Sequence, residues 1–121
     1  MKKRGPFKVK SSATIYKNPW IEVREDKVIR PDGTEDIFGT VDYNPGVSIV
    51  VLTENNEIYL VKEYDYVLDE VGIKLPTGGI DKGESALQAA KRELLEETGC
   101  ESKNWIDLGL IQPFTMIIKS Q

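Results

Sequence analysis

Residues 78–100 read GGIDKGESALQAAKRELLEETGC, and their spacing decides how the rest of the chain is read. From Ser85 onward the run predicts a helix over residues 85–98. Ser85 is a capping residue, and Gln88 stands three positions later, where a capping box needs a side chain that reaches back. Gly99 supplies the left-handed residue on which helices commonly end. Leu87, Ala90 and Leu94 recur at i, i+3 and i+7 and are expected to form the buried stripe. Glu93, Glu96 and Glu97 recur at i, i+3 and i+4, which places their carboxylates together on another face. Like charges at that spacing weaken an isolated helix by a few tenths of a kcal/mol per pair. Acids at a helix C-terminus also oppose the macrodipole. A solvated surface is the ordinary reading of such a cluster. A divalent cation is the reading that would offset the repulsion, because Mg²⁺ takes several carboxylate oxygens as ligands.

Outward from this segment the chain reads as strands. Upstream, Pro76-Thr77-Gly78-Gly79 is a break. Residues 47–53 (VSIVVLT) form a β-branched run of the kind buried on both faces, and residues 57–64 (EIYLVKEY) are expected to pair back on it antiparallel. Residues 65–74 read as loop, with a short strand near 71–75. Further upstream, residues 20–30 (WIEVREDKVIR) and 35–43 flank Pro31-Asp32-Gly33, a turn signal, and are expected to form a hairpin. Residues 1–11 carry five of the basic residues with Gly5-Pro6 and read as a loose arm. Downstream, residues 105–112 and 115–119 read as short closing strands.

The bulk numbers bound the function. A chain of 121 residues suffices for one compact domain. Sixteen Lys and Arg against twenty Asp and Glu give a net charge of −4, a poor balance for binding nucleic acid. There is no histidine, which excludes a Ser-His triad and the usual zinc ligand set. The single Cys100 cannot form an internal disulfide, no apolar leader follows the basic start, and no run is long enough to span a membrane. The expected compartment is cytoplasmic.

Residues 78–100 resemble the signature of the Nudix hydrolase (MutT-like) family. That signature reads Gly, five residues, Glu, seven residues, Arg-Glu-aliphatic, one residue, Glu-Glu, one residue, Gly, aliphatic. The matching positions are Gly78, Glu84, Arg92, Glu93, Leu94, Glu96, Glu97 and Gly99, with Cys100 where the family prefers a branched aliphatic residue. At ~7 % usage per residue, seven fixed positions agree by accident on the order of once in a hundred million windows. Over residues 20–112 the chain resembles the ADP-ribose pyrophosphatase branch. It departs from that branch at Glu63-Tyr64-Asp65, where an Arg is usual, and at Lys74, where a Glu is usual.

The resemblance implies an α+β Nudix fold: a mixed β-sheet with the Nudix loop-helix-loop and an N-terminal antiparallel β-hairpin. It implies Mg²⁺, with Mn²⁺ able to substitute, held by Glu93, Glu96, Glu97 and the backbone carbonyl of Thr77. Arg92 joins those glutamates in the catalytic set, bonded to Glu84; Gly78, Glu84 and Gly99 are structural. The implied reaction is divalent-metal-dependent hydrolysis of a nucleoside diphosphate linked to another moiety, ADP-ribose or a nucleotide sugar. The alternative is a catalytically silent nucleotide-binding module on the same fold. A homodimer built through the N-terminal strands is implied as well. The domain reading is a basic arm at 1–11, strands and dimerisation element at 12–44, and the Nudix core at 45–121. Family domains continue further than the 21 residues after Cys100, so the core is expected to be truncated at its C-terminus.

Overall fold

The computed structural model describes residues 1–112, which divide into two compact units. The strand expected over 115–119 lies outside them. In the first unit, residues 1–44 form a four-stranded antiparallel meander in the order β1 (Lys2–Arg4), β2 (Phe7–Lys17), β3 (Ile21–Ile29) and β4 (Glu35–Tyr43). The loose arm expected over residues 1–11 is instead part of this sheet. Gly5, at φ 59°, lets the chain reverse in two residues, which sets Arg4 opposite Phe7 and Lys2 opposite Val9. β2 then continues past residue 12, with a register shift against β3 between Val9 and Ser11.

The Pro31-Asp32-Gly33 turn forms as the sequence requires. Pro31 presets the first corner, the Gly33 N–H donates to the Arg30 carbonyl at 2.9 Å, and Gly33 takes φ 87°. The Asp32 carboxylate accepts from both the backbone N–H and the hydroxyl of Thr34. At the other end the Asn18 side-chain oxygen accepts from the N–H groups of Trp20 and Ile21, each at 2.8 Å, and closes the β2–β3 turn. Within β3 the most buried residues are Asp26 and Val28.

The second unit, residues 45–108, is built around the helix. β5 (Gly46–Ser48) pairs antiparallel with β8 (Thr77–Gly79), and β6 (Val61–Asp65) pairs antiparallel with β7 (Glu70–Lys74). α1 (Ala86–Thr98) packs against β5 and β8. All pairings among the described residues are antiparallel, in place of the mixed sheet expected. For β1–β4 and for β6–β7 the short turns allow nothing else, since parallel neighbours need a long crossover.

Two expectations fail, and a third, the antiparallel pairing of residues 57–64 with 47–53, is met only near the turn. The run over 47–53 joins β8 at Val47 and Ser48 and meets residues 57–59 at its far end, where the Thr53 N–H donates to the Glu57 carbonyl at 2.9 Å; Ile49 is buried, but Val50 and Leu52 are about half exposed or more. Alternate residues of a strand face opposite ways, and α1 covers β5 from one side only. Residues 57–64 divide their pairing: Ile58 bridges to Leu52 and the Tyr59 N–H donates to the Val51 carbonyl, while the stretch from Val61 pairs with β7. Residues 105–112 form no strand. Hydrophobic runs report what a segment can bury, and the partner decides what it does bury. Among the described residues no helix is long and apolar enough to cross a membrane.

Candidate functional site

The helix of the quoted segment starts and stops on its local signals. The Ser85 hydroxyl accepts from the Gln88 N–H at 3.1 Å, and the Gln88 side chain accepts from the Ser85 N–H at 2.8 Å. Gly99 ends the helix in the left-handed conformation at φ 70°. Between these ends the buried face differs from the expected stripe. Ala89 and Leu94 are fully buried, whereas Leu87 is about half exposed. Stepping 100° per residue, Glu93 and Glu97 fall between Ala89 and Leu94. Two of the three acids therefore lie on the inward face and not opposite it. Ala89 is the reason: with only a methyl group it lets the helix approach the strands on that side.

Inward placement brings the two carboxylates to β8. The Glu97 carboxylate accepts from the Thr77 N–H at 3.3 Å. Glu93 lies against Gly78, where a Cβ would stand 2.0 Å from its carboxyl carbon. No residue but glycine fits there while Glu93 keeps its place. Thr77 is fixed by its own hydroxyl, which bonds the Leu75 carbonyl at 3.0 Å and meets the Ser48 hydroxyl at 3.1 Å. Glu96 points elsewhere: its side chain is 57 % exposed and reaches only Arg92, at 3.4 Å.

Arg92 organises the cluster. Its guanidinium makes a two-pronged pair with Glu84, Nε and Nη2 each 2.9 Å from a carboxylate oxygen. Nη2 also donates to the Gly79 carbonyl at 2.9 Å, and Nη1 donates to Glu93 at 2.6 Å. Asp81 adds a further opposite charge at 3.5 Å, and its N–H donates to the second Glu84 oxygen. The Arg92 bonds, reinforced by the Asp81 N–H, hold the Glu84 carboxyl down to about 2, well below its usual range. Glu84 and then Glu93 push Arg92 further up from its already high value. One fixed cation thus joins the loop at 79–84 to the inward face of α1.

Hard oxygen donors of this kind suit Mg²⁺. Glu93, Glu97 and the backbone at Thr77 and Gly78 converge, and the groove beside Gly78 is one a side chain would fill. The full set of three glutamates does not converge: among the described residues no group of three acids stands together as a ready ligand shell. The residues present fit a divalent ion through Glu93 and Glu97, with Glu96 at the rim.

Sequence reasoning did not single out Asp81 and treated Lys74 only as a departure from a pattern. Lys74 is paired with Glu63, which raises its pKa despite partial desolvation, and Glu97 adds to that shift. Asp81 could have been found from its place in the loop, since the residue three before Glu84 is where a loop N–H can cap that carboxylate.

Comparison with known proteins follows this geometry. Residues 42–116 match the profile of the NUDIX domain, and residues 7–41 match that of the nucleoside diphosphate sugar hydrolase N-terminal domain. The chain is 31 % identical over 94 residues to the methanol dehydrogenase activator of Bacillus methanolicus, covering 76 % of this chain and 51 % of that protein. It is 31 % identical over 100 residues to an ADP-ribose pyrophosphatase of Mycobacterium tuberculosis, covering 82 % and 48 %. The chain spans about half the length of the curated relatives it matches. In fold it resembles a crystal structure of an ADP compounds hydrolase, with a TM-score of 0.72 and 22 % identity over 86 % of this chain and 57 % of the other.

Proposed function

Starting from the fact that this chain belongs to the Nudix hydrolase family, we propose that it serves divalent-metal-dependent hydrolysis of a nucleoside diphosphate linked to another moiety, ADP-ribose or a nucleotide sugar. The observation that carries the reading is the convergence of Glu93 and Glu97, one turn apart on α1, on the backbone of Thr77 and Gly78. The N-terminal profile supports the substrate class, because its description is that of a nucleoside diphosphate sugar hydrolase.

Glu93 and Glu97 are the residues that would hold Mg²⁺, with Glu96 and the Thr77 carbonyl completing the set. When bound, the ion supplies charge neutralisation at the diphosphate and water activated near neutral pH. Arg92 acts as a positioning residue. Its donors are committed to Glu84, Glu93 and Gly79, so it orients the carboxylates and leaves phosphate contact to others. A homodimer through the strands of residues 12–44 belongs to the same proposal.

The test is release of AMP from ADP-ribose, and of nucleoside monophosphate from a panel of nucleotide sugars, with and without Mg²⁺. Glu97→Gln is expected to lower turnover by several orders of magnitude at unchanged fold, since one ligand and one charge leave together. Turnover equal to that of the native chain would remove Glu97 from the site.

A second reading has an observation of its own. Glu93 is engaged by Arg92, Glu96 faces outward, and no three acids stand together among the described residues. This favours a nucleotide-binding module without turnover. Calorimetry that finds nucleotide binding with no hydrolysis over hours would select it.

A further inference from the structure

The buried side-chain polar atoms without a protein partner among the described residues are Arg24 Nε, Asp26 Oδ1 and Thr40 Oγ1. They lie together on one face of the sheet of residues 1–44. Arg24 stands directly opposite Thr40, and Asp26 opposite Phe38, and positions two apart on a strand share a face. A cavity of about 360 Å³ opens on this face. Asp26 and Thr40 line it together with Phe7, Val28, Phe38 and Arg4. Asp26 is only 6 % exposed. Its second oxygen has one neighbour, Arg4 Nη1, at 3.5 Å.

We propose that this cavity binds an organic cation: a primary ammonium or guanidinium group on a small apolar body. Buried polar groups are nearly always bonded, and exceptions call for an explanation. Arg24 does not line the cavity, so the groups without a protein partner inside it are a carboxylate oxygen and a hydroxyl. An anion would bring no donor to the Asp26 oxygen. A purely apolar guest would leave both oxygens unmet. A neutral amide would serve Oδ1 less well than a cationic donor, because charge-assisted bonds are the stronger ones. The walls suit the same guest. Phe7 and Phe38 meet edge to face with centroids 5.4 Å apart, and Phe38 already carries the Arg30 guanidinium 5.9 Å from its centre. Aromatic faces attract cations of this kind. Arg4, bonded at the long distance of 3.5 Å to the other Asp26 oxygen, leaves Oδ1 unmet.

The cation could come from a free amine or from a basic side chain of another polypeptide. Benzylammonium chloride and acetyl-arginine amide are therefore titrated separately into the intact chain, with benzyl alcohol and benzoate as isosteres of other charge. Amide shifts at positions 26, 28, 38 and 40 are followed by nuclear magnetic resonance. Saturable shifts from a cation, with none from the alcohol or benzoate at the same concentrations, are expected. Tighter binding of the arginine amide assigns a polypeptide source, and tighter binding of benzylammonium a free amine. Asp26→Asn is expected to weaken binding at least about tenfold. If that variant does not fold, Thr40→Val takes its place, with weaker binding expected again. The proposal is overturned if benzyl alcohol shifts the same amides as strongly. It is equally overturned if neither cation gives a saturable shift, since water alone then meets the two oxygens.

Discussion

Arg92 and Asp26 are both charged side chains turned toward the interior of their units, and they are treated in opposite ways. Around Arg92 every bond direction is used: Glu84 twice, Glu93, Glu96 and the Gly79 carbonyl. Around Asp26 one oxygen has a distant arginine and the other has no protein partner among the described residues. A closed polar network fixes geometry, because each group loses if any other moves. An open one holds unmet bonding capacity for something outside the chain. The first arrangement suits a scaffold for chemistry and the second suits a receptor, and substitutions can test each half of that contrast.

Among the substitutions that test this contrast, the largest effect is expected at Gly78. Its neighbour is the Glu93 carboxylate, 2.0 Å from where a Cβ would sit. Gly78→Ala must therefore displace Glu93 from β8. Misplacing a working group by about 1 Å costs ~10²-fold in rate, so Mg²⁺-dependent turnover should fall by ~10²-fold or more. Gly79→Ala meets no atom within 4 Å and serves as the control. Equal losses in both variants would mean that Glu93 does not depend on the glycine.

Next comes Arg92→Lys. Lysine keeps the charge but cannot reproduce the fork that grips Glu84. Thermal unfolding should move to lower temperature by clearly more than in Arg30→Lys, whose partner Asp36 is paired at the surface of the sheet. A rescue by lysine at position 92 would show that charge alone, without direction, closes the network.

The same pair sets an acid response. Glu84 ionises at about 2 in the folded chain against an ordinary 4.5. Its folded value is depressed, so the ionised form favours folding. The contribution is complete above pH ~4.5 and is lost as pH falls from there toward 2. Protection of α1 amides, taken relative to the intrinsic exchange rate at each pH, should fall across that window, and Glu84→Gln should flatten the response. Asp32, Glu35 and Asp36 are also held below their usual range, by Thr34, Lys10 and the Ile37 N–H respectively. They act within the sheet of residues 1–44, which is why the readout is taken at the helix.

How much of this was legible follows from how local each signal is. The helix was readable because Ser85, Gln88 and Gly99 act within fifteen residues of one another. The β3–β4 hairpin was readable because Pro31 and Gly33 dictate their own backbone. The inward turn of Glu93 and Glu97 was not, because it depends on Ala89 meeting strands that lie up to forty residues away in sequence. Strand β8 was hidden inside a glycine-rich stretch that reads as a break, although Gly78 and Gly79 carry ladder bonds as well as any residue. Asp26 read as one charge among several in residues 20–30. Its burial comes from register with Phe38 across the sheet, which composition does not carry.

The smallest effects give the cleanest contrast, because one chemical change should have opposite signs in the two units. Thr40→Val removes a hydroxyl that has no protein partner among the described residues and keeps a β-branched shape suited to its strand. Thr77→Val removes a hydroxyl bonded to the Leu75 carbonyl and in contact with Ser48. Leaving a partner unmet destabilises, while removing an unmet group relieves the loss. Protection of β4 amides should rise by ~0.5–1 kcal/mol in the first variant, and that of β8 amides should fall by ~0.5–1 kcal/mol in the second. Hydrogen exchange on each variant reads both. If Thr40→Val weakened β4, its hydroxyl would have to be bonded in solution, and the contrast between a closed and an open polar cluster would rest on Asp26 alone. If it strengthened β4 while abolishing the response to an organic cation, the sheet would be shown to give up stability in order to keep a site.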